Sequence, residues 1–128
     1  MEWRFRSDLP IYTQLVEKIK RAILSGELPP GAKLPPVREL AAEAGVNPNT
    51  MQRAMQELER DTLVFAQRTA GRFVTEDKAV IEAIKKELAE SRLCGFLAEM
   101  AELGYDKNGV AALLTSIKEG NTDADPGM

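Results

Sequence analysis

The stretch VNPNTMQRAMQELERD, residues 46–61, decides how this chain is read. Asn47 is a strong N-cap, because its side-chain oxygen can accept from the unpaired N–H groups of a first helical turn. Pro48 suits the first helical position, where no N–H is missed. At about 100° per residue, Met51, Ala54, Met55 and Leu58 fall on one face of the helix. Asn49, Arg53, Gln56 and Arg60 fall opposite. The apolar face predicts packing on neighbouring helices. The opposite face holds amides and cations, with Glu57 and Glu59 only on its flanks. Asn and Gln pair bidentately with adenine, and Arg with guanine, in a major groove. A helix N-terminus also presents free N–H groups to a phosphate. A merely solvated helix face has the same polarity, so the neighbouring elements carry the decision.

Upstream, IYTQLVEKIKRAILS (11–25) places Tyr12, Leu15, Val16, Ile19 and Ile23 on one helical stripe, with Pro10 near the first turn and Gly26 as a stop. ELPPGAKLPP (27–36) is a stiff connector with a turn at Pro30-Gly31. VRELAAEAG (37–45) is a short second helix. Downstream, LVFAQRTAGRFVT (63–75) reads as a two-strand hairpin whose tip is flanked by Arg68 and Arg72. Three helices and a hairpin, with a tight Ala44–Pro48 connection before the third helix, predict a winged helix-turn-helix. Such a fold turns the balance toward double-stranded DNA as the partner of the polar face.

Composition bounds the alternatives. The 128 residues leave room for one domain and an appendage. With no histidine, the commonest general base and metal ligand is missing. The single cysteine, Cys94, excludes an internal disulfide and a multi-cysteine metal site. No phosphate-binding glycine loop is present. An enzyme, a cofactor or a metal site is therefore not expected. No apolar run reaches a membrane span and MEWRFRSDLP lacks a secretory core, so a cytoplasmic protein without membrane contact is expected. Net charge is −3; residues 1–76 carry 11 Lys and Arg against 10 Asp and Glu, and residues 77–128 carry 6 against 10. Totals this close to balance argue nothing about nucleic acid; placement does.

From Glu76 to Leu103 the pattern is helical again, with Val80, Ile81, Ile84 and Leu88, then Leu93, Phe96, Leu97, Met100 and Leu103. The phase slips between Leu88 and Leu93 near Gly95, which predicts a bend or a break. Asp106 caps a last helix carrying Val110, Leu113, Leu114 and Ile117. Residues 120–128 read as a disordered tail. The apolar stripe of 80–103 exceeds what one small winged helix can cover. A two-fold homodimer through residues 77–118 is the expected remedy; folding-back of both helices is the other solution. Domain limits are thus 1–75 for the winged helix and 76–119 for a helical dimerisation region. Trp3 and Phe5 either pack on a partner subunit or cover their own core. Cys94 and Met51, Met55 and Met100 are expected as packing residues.

The strings PIYTQLVEKIKRAILSGELPPGAKLPPVRELA and VNPNTMQRAMQELERD resemble the DNA-binding domain of GntR-type transcription regulators. The likeness covers residues 8 to 75 in ordered motifs: P-I-Y-x-Q-L, P-G-x-K-L-P, R-E-L-A, V-N-P-N-T and a closing F-V. The short two-helix appendage is similar to the YtrA-type subgroup, whose members often repress transporter operons as dimers. The resemblance implies that Arg38 meets DNA from the start of helix two. It implies that Asn49, Thr50 and Gln52 meet bases and phosphates, and that Arg68 and Gly71 form the wing tip near the minor groove.

Helical geometry adds Arg53 to these DNA candidates, and position adds Asn47 and Arg72. Arg60 is expected in an intraprotein ion pair. Three residues depart from the family pattern. Pro36 replaces a frequent serine, Thr62 the glycine after the recognition helix, and Thr69 a glycine of the wing. The expected function is a dimeric repressor on a pseudo-palindromic operator. Control by a small molecule, or by protein amount alone, stays open. The alternative is a winged-helix adaptor for protein partners; its signature would be acids on the outward face of helix three, and that face has none.

Overall fold

A computed structural model describes residues 1–117; the tail expected at 120–128 lies outside them. In chain order the elements are α1 (Ile11–Ser25), α2 (Val37–Ala44), α3 (Pro48–Arg60), β1 (Val64–Gln67), β2 (Gly71–Val74), α4 (Lys78–Glu102) and α5 (Lys107–Ser116). This is the winged helix-turn-helix with two further helices.

Each of the first three helices ends or begins where its sequence says it must. Gly45 closes α2 in the left-handed region at φ +72°, and the Val46 N–H returns to the Ala41 carbonyl at 2.9 Å. The chain thereby reverses within two residues and reaches Asn47. The Asn47 side chain accepts from the Asn49 N–H at 2.7 Å and starts α3. Met51, Ala54, Met55 and Leu58 are all fully buried. They join Leu15, Ile19 and Ile23 of α1 and Leu40 and Ala41 of α2 in one core.

The wing is antiparallel, with Val64 opposite Val74 and Gln67 opposite Gly71. Only one side-chain face of so short a hairpin is buried, through Val64 and Val74. The proline-rich connector serves as a third edge. Lys33 bridges Phe73, the Leu34 N–H donates to the Arg72 carbonyl at 2.9 Å, and the Val74 N–H donates to the Ala32 carbonyl at 2.8 Å. The connector and the wing therefore hold each other's backbone groups.

The N-terminal arm packs on its own core through Trp3 and Phe5, resolving the two placements left open by sequence. Gln14 fixes it. Its carboxamide accepts from the Arg6 N–H at 2.7 Å and donates to the Arg6 carbonyl at 2.8 Å. The Trp3 indole N–H donates to Glu43 of α2 at 3.1 Å.

Two threonines carry positive φ: Thr62 at +62° and Thr69 at +67°. A β-branched residue is strained there, by about 1–3 kcal/mol. Thr62 is exposed and its hydroxyl makes only a local contact to the Asp61 carbonyl. Thr62→Gly should therefore relieve strain without losing packing. After the flexibility that glycine adds to the unfolded chain, a net gain of about 1 kcal/mol is expected. That gain corresponds to a rise in Tm of roughly 4–8 °C for a domain of this size. A fall in Tm on thermal unfolding would contradict it.

Residues Met1–Lys85 form one unit, and the chain from Lys86 onward a second. The first unit extends past residue 75 because Ile81 of α4 is buried in its core and Ile84 packs against it. The expected bend or break near Gly95 does not occur: α4 is continuous from Lys78 to Glu102. A phase slip moves the apolar stripe around a helix without interrupting its backbone bonds, and Gly95 costs only helix propensity.

Within the second unit, the Asp106 carboxylate caps α5 at the Gly109 N–H, 2.8 Å away. Val110 is buried there, whereas Leu93 (52% exposed), Leu103 (72%) and Leu114 (61%) are not. Cys94, expected to be buried, is exposed. It lies on α4 where the second unit alone supplies no cover.

Candidate nucleic-acid interface

The site is built from three pieces of backbone: the start of α2, the first two turns of α3, and the wing. Along α3 the outward residues are those expected from the helix. Asn49, Arg53, Gln56 and Arg60 are exposed, and Thr50 and Gln52 are half-buried. Arg60 pairs with Glu57 at 2.6 Å, as its spacing of three predicts. Asn47 uses its oxygen as the cap, so only its amide NH₂ is left for a ligand.

Arg53 is held by a neighbour that the sequence places on the apolar stripe of α1. Tyr12 is half-buried on α1, and the Arg53 guanidinium lies over its ring at 4.0 Å from the centroid. Such stacking is attractive and fixes the plane of the guanidinium. The N–H edge keeps its donors.

Arg38 sits at the second position of α2, exposed, with no ion pair to any described residue. Its sequence neighbour Glu39 is exposed in the same first turn. Pro36 occupies the N-cap position and makes no side-chain cap, so the first N–H groups of α2 have no side-chain partner. Arg68 is exposed at the wing tip, again without a described ion pair. Gly71 opens β2 at φ +110°. A Cβ there would stand 3.3 Å from Lys33 Cε, so bulk at this point would press on the connector lysine.

Arg72 is placed differently from the wing-tip residue that sequence suggested. Its side chain is only 20% exposed and turns onto α3. Nε donates to Glu59 at 2.5 Å, and Nη1 donates to Gln52 Oε1 at 3.4 Å. The alternation of a strand put Arg72 on the α3 side of the wing, where an acid waits. Two of the DNA candidates, Arg72 and Gln52, are thus joined to each other.

Lys33 was not anticipated as a site residue. It is exposed and lines an open groove between the start of α2 and the wing, together with Pro36, Val37, Thr69 and Gly71. The bridge to Phe73 puts it there, and no local sequence pattern announces such a long-range bridge. Glu57 and Glu59 are each matched by an arginine. The cations left without a described ion pair on these three pieces and the adjoining connector are Lys33, Arg38, Arg53 and Arg68. That arrangement suits a polyanion. Among the described residues no group of side chains could hold a metal ion, and no helix is long and apolar enough to cross a membrane.

Comparison with known proteins agrees with this geometry. Residues 11–74 match the family described as bacterial regulatory proteins, gntR family. The chain is 38% identical over 120 residues to the uncharacterized HTH-type transcriptional regulator YhcF of Bacillus subtilis, covering 94% of this chain and 99% of that one. It is 33% identical over 114 residues to the HTH-type transcriptional repressor YtrA of the same organism, covering 89% and 83%.

Among solved structures, a GntR family transcriptional regulator from Listeria monocytogenes superposes with a TM-score of 0.82 at 38% identity, over 89% of this chain and all of that one. The DNA-binding domain of AraR, solved in complex with operator ORX1, matches with a TM-score of 0.54 at 30% identity, over 59% of this chain and 96% of that one. The chain belongs to the GntR family of bacterial transcription regulators.

Proposed function

We propose that the protein is a sequence-specific repressor that binds a pseudo-palindromic operator as a homodimer in the cytoplasm. The observation that carries the DNA reading is the exposed amides and Arg53 on the α3 face, with Arg38 on α2 and Arg68 on the wing exposed and without a described ion pair. On this reading Asn49, Thr50, Gln52 and Arg53 enter the major groove, with Asn47 and Arg38 at its edge. Arg68 and Gly71 approach the minor groove. Arg72, already engaged on α3, supports the wing rather than touching DNA. The solved AraR domain with its operator supports DNA as partner, and the naming of YtrA as a repressor supports the direction of control.

The division of labour follows the sequence expectation: residues 1–75 read DNA and 76–119 pair two copies. Exposed Leu93, Phe96, Leu103 and Leu114 in the second unit support that pairing, because an uncovered apolar patch favours a partner. A transporter-type operon as target follows from the likeness to the YtrA-type subgroup. A small-molecule effector would act through the same second unit.

The test is a footprint on the DNA upstream of the protein's own gene at two salt concentrations. Two protections about one helical turn, roughly 34 Å, apart are expected, weaker at the higher salt. A folded protein that protects no sequence there, and enriches none from a random duplex library, would refute the reading.

A further inference from the structure

We infer that Arg72 is a positioning residue which sets the base that Gln52 reads. This inference rests on the DNA-reading proposal and goes beyond it to a rule of recognition. Gln52 lies one turn after Asn49 and one turn before Gln56, so it shares their row along α3. Its carboxamide has two different ends, an acceptor oxygen and a donor NH₂. Pairing with adenine in the major groove needs both ends turned to the base, the oxygen toward N6–H and the NH₂ toward N7.

Here the oxygen is taken the other way. Arg72 Nη1 stands 3.4 Å from Gln52 Oε1. A guanidinium has donors only, so an amide facing it must present oxygen. The contact is long, but Arg72 is not free to leave it. Nε is tied to Glu59, one helical turn further along α3 than Met55, and the side chain is four-fifths covered. The Arg72 carbonyl accepts from the Leu34 N–H, and across the hairpin Arg72 lies opposite Ala66. The wing therefore reaches across to α3 and orients the carboxamide of a recognition residue.

With the oxygen turned inward, the NH₂ is the end left for DNA. It can donate to guanine O6 or N7, to adenine N7 or to thymine O4. It cannot satisfy cytosine, which offers only the N4 amino donor on that edge. Gln52 is thus assigned a discrimination against cytosine, without the bidentate adenine pairing usual for glutamine.

Selection from a random duplex library, read by sequencing, tests this with the full chain. Gln52→Ala identifies the base position that Gln52 reads. There the wild type should favour guanine, adenine or thymine over cytosine by about fivefold or more. Arg72→Lys, still a donor, should keep that preference. Arg72→Met should abolish it while the other positions of the motif keep theirs.

Glu59→Gln is the second variant should Arg72→Met fail to fold. It removes the anchor and should weaken the preference at the same position alone. An unchanged preference in Arg72→Met, or in Glu59→Gln if the first is unfolded, would overturn the inference and leave the repressor reading intact. A wild type that selects no motif would overturn both.

Discussion

A chain carrying Leu93→Glu and Phe96→Glu is expected to sediment as a monomer at micromolar concentration and to bind the operator about 10²- to 10⁴-fold more weakly than the parent. The size of the effect comes from linkage. When two heads are joined, the second half-site is met at an effective concentration set by the linkage, and losing it costs avidity of that order. The two side chains are well chosen for the purpose. Leu93 is 52% exposed and Phe96 41% exposed in the single chain, so carboxylates there should not unfold it. In a dimer that covers them, two buried carboxylates per subunit without partners would be strongly unfavourable. Sedimentation equilibrium and a binding titration read the two effects separately. A double variant that remains a dimer would move the interface elsewhere. A parent that is monomeric at micromolar concentration would end the dimer proposal altogether.

Arg38→Ala should weaken operator binding by about 1–3 kcal/mol, or roughly 5- to 150-fold, if the guanidinium reaches a base. No described acid pairs with it, so the whole charge is available to DNA. The residue is exposed on α2 and contributes nothing to the buried core, so folding should be unaffected. The contact type is visible in a second measurement. A base contact makes the loss depend on sequence and relaxes selection at one position per half-site. A phosphate contact weakens all duplexes alike and lowers the salt slope by about one. Equal affinity for operator in variant and parent would remove Arg38 from the interface.

Much of the fold was legible because its signals are local. The limits of α1 follow from Gly26 and an unbroken apolar stripe, and α3 from the Asn47 cap and Pro48. The core face of α3 was readable residue by residue, since helical period alone separates Met51, Ala54, Met55 and Leu58 from the rest. What sequence did not disclose was long-range. Arg72 finds Glu59 thirteen residues back, Arg53 finds Tyr12 on another helix, and Lys33 finds Phe73 across forty positions. No periodicity encodes such meetings; they follow from packing two elements that are each predictable alone. The helix of 78–102 shows the converse. Its slipped phase was real, but phase concerns which face is apolar, and continuity concerns backbone hydrogen bonds. The strained threonines lay between these cases: the departure from glycine was visible at Thr62 and Thr69, and the positive φ gave it meaning.

The arm that docks through Trp3 has a practical consequence. Trp3 is the chain's only tryptophan, and its indole is tied to Glu43 and stacked on Phe5 with ring centres 6.4 Å apart. Excited at the red edge of the band, where Tyr12 and Tyr105 scarcely absorb, the protein's emission therefore comes from the arm. Followed by fluorescence, denaturation will report the release of the arm; followed by far-UV circular dichroism, it will report the helices. Coincident curves would mean that the arm leaves only when the domain unfolds. An earlier fluorescence change would reveal a loosely held arm on an intact winged helix, with no label or added probe.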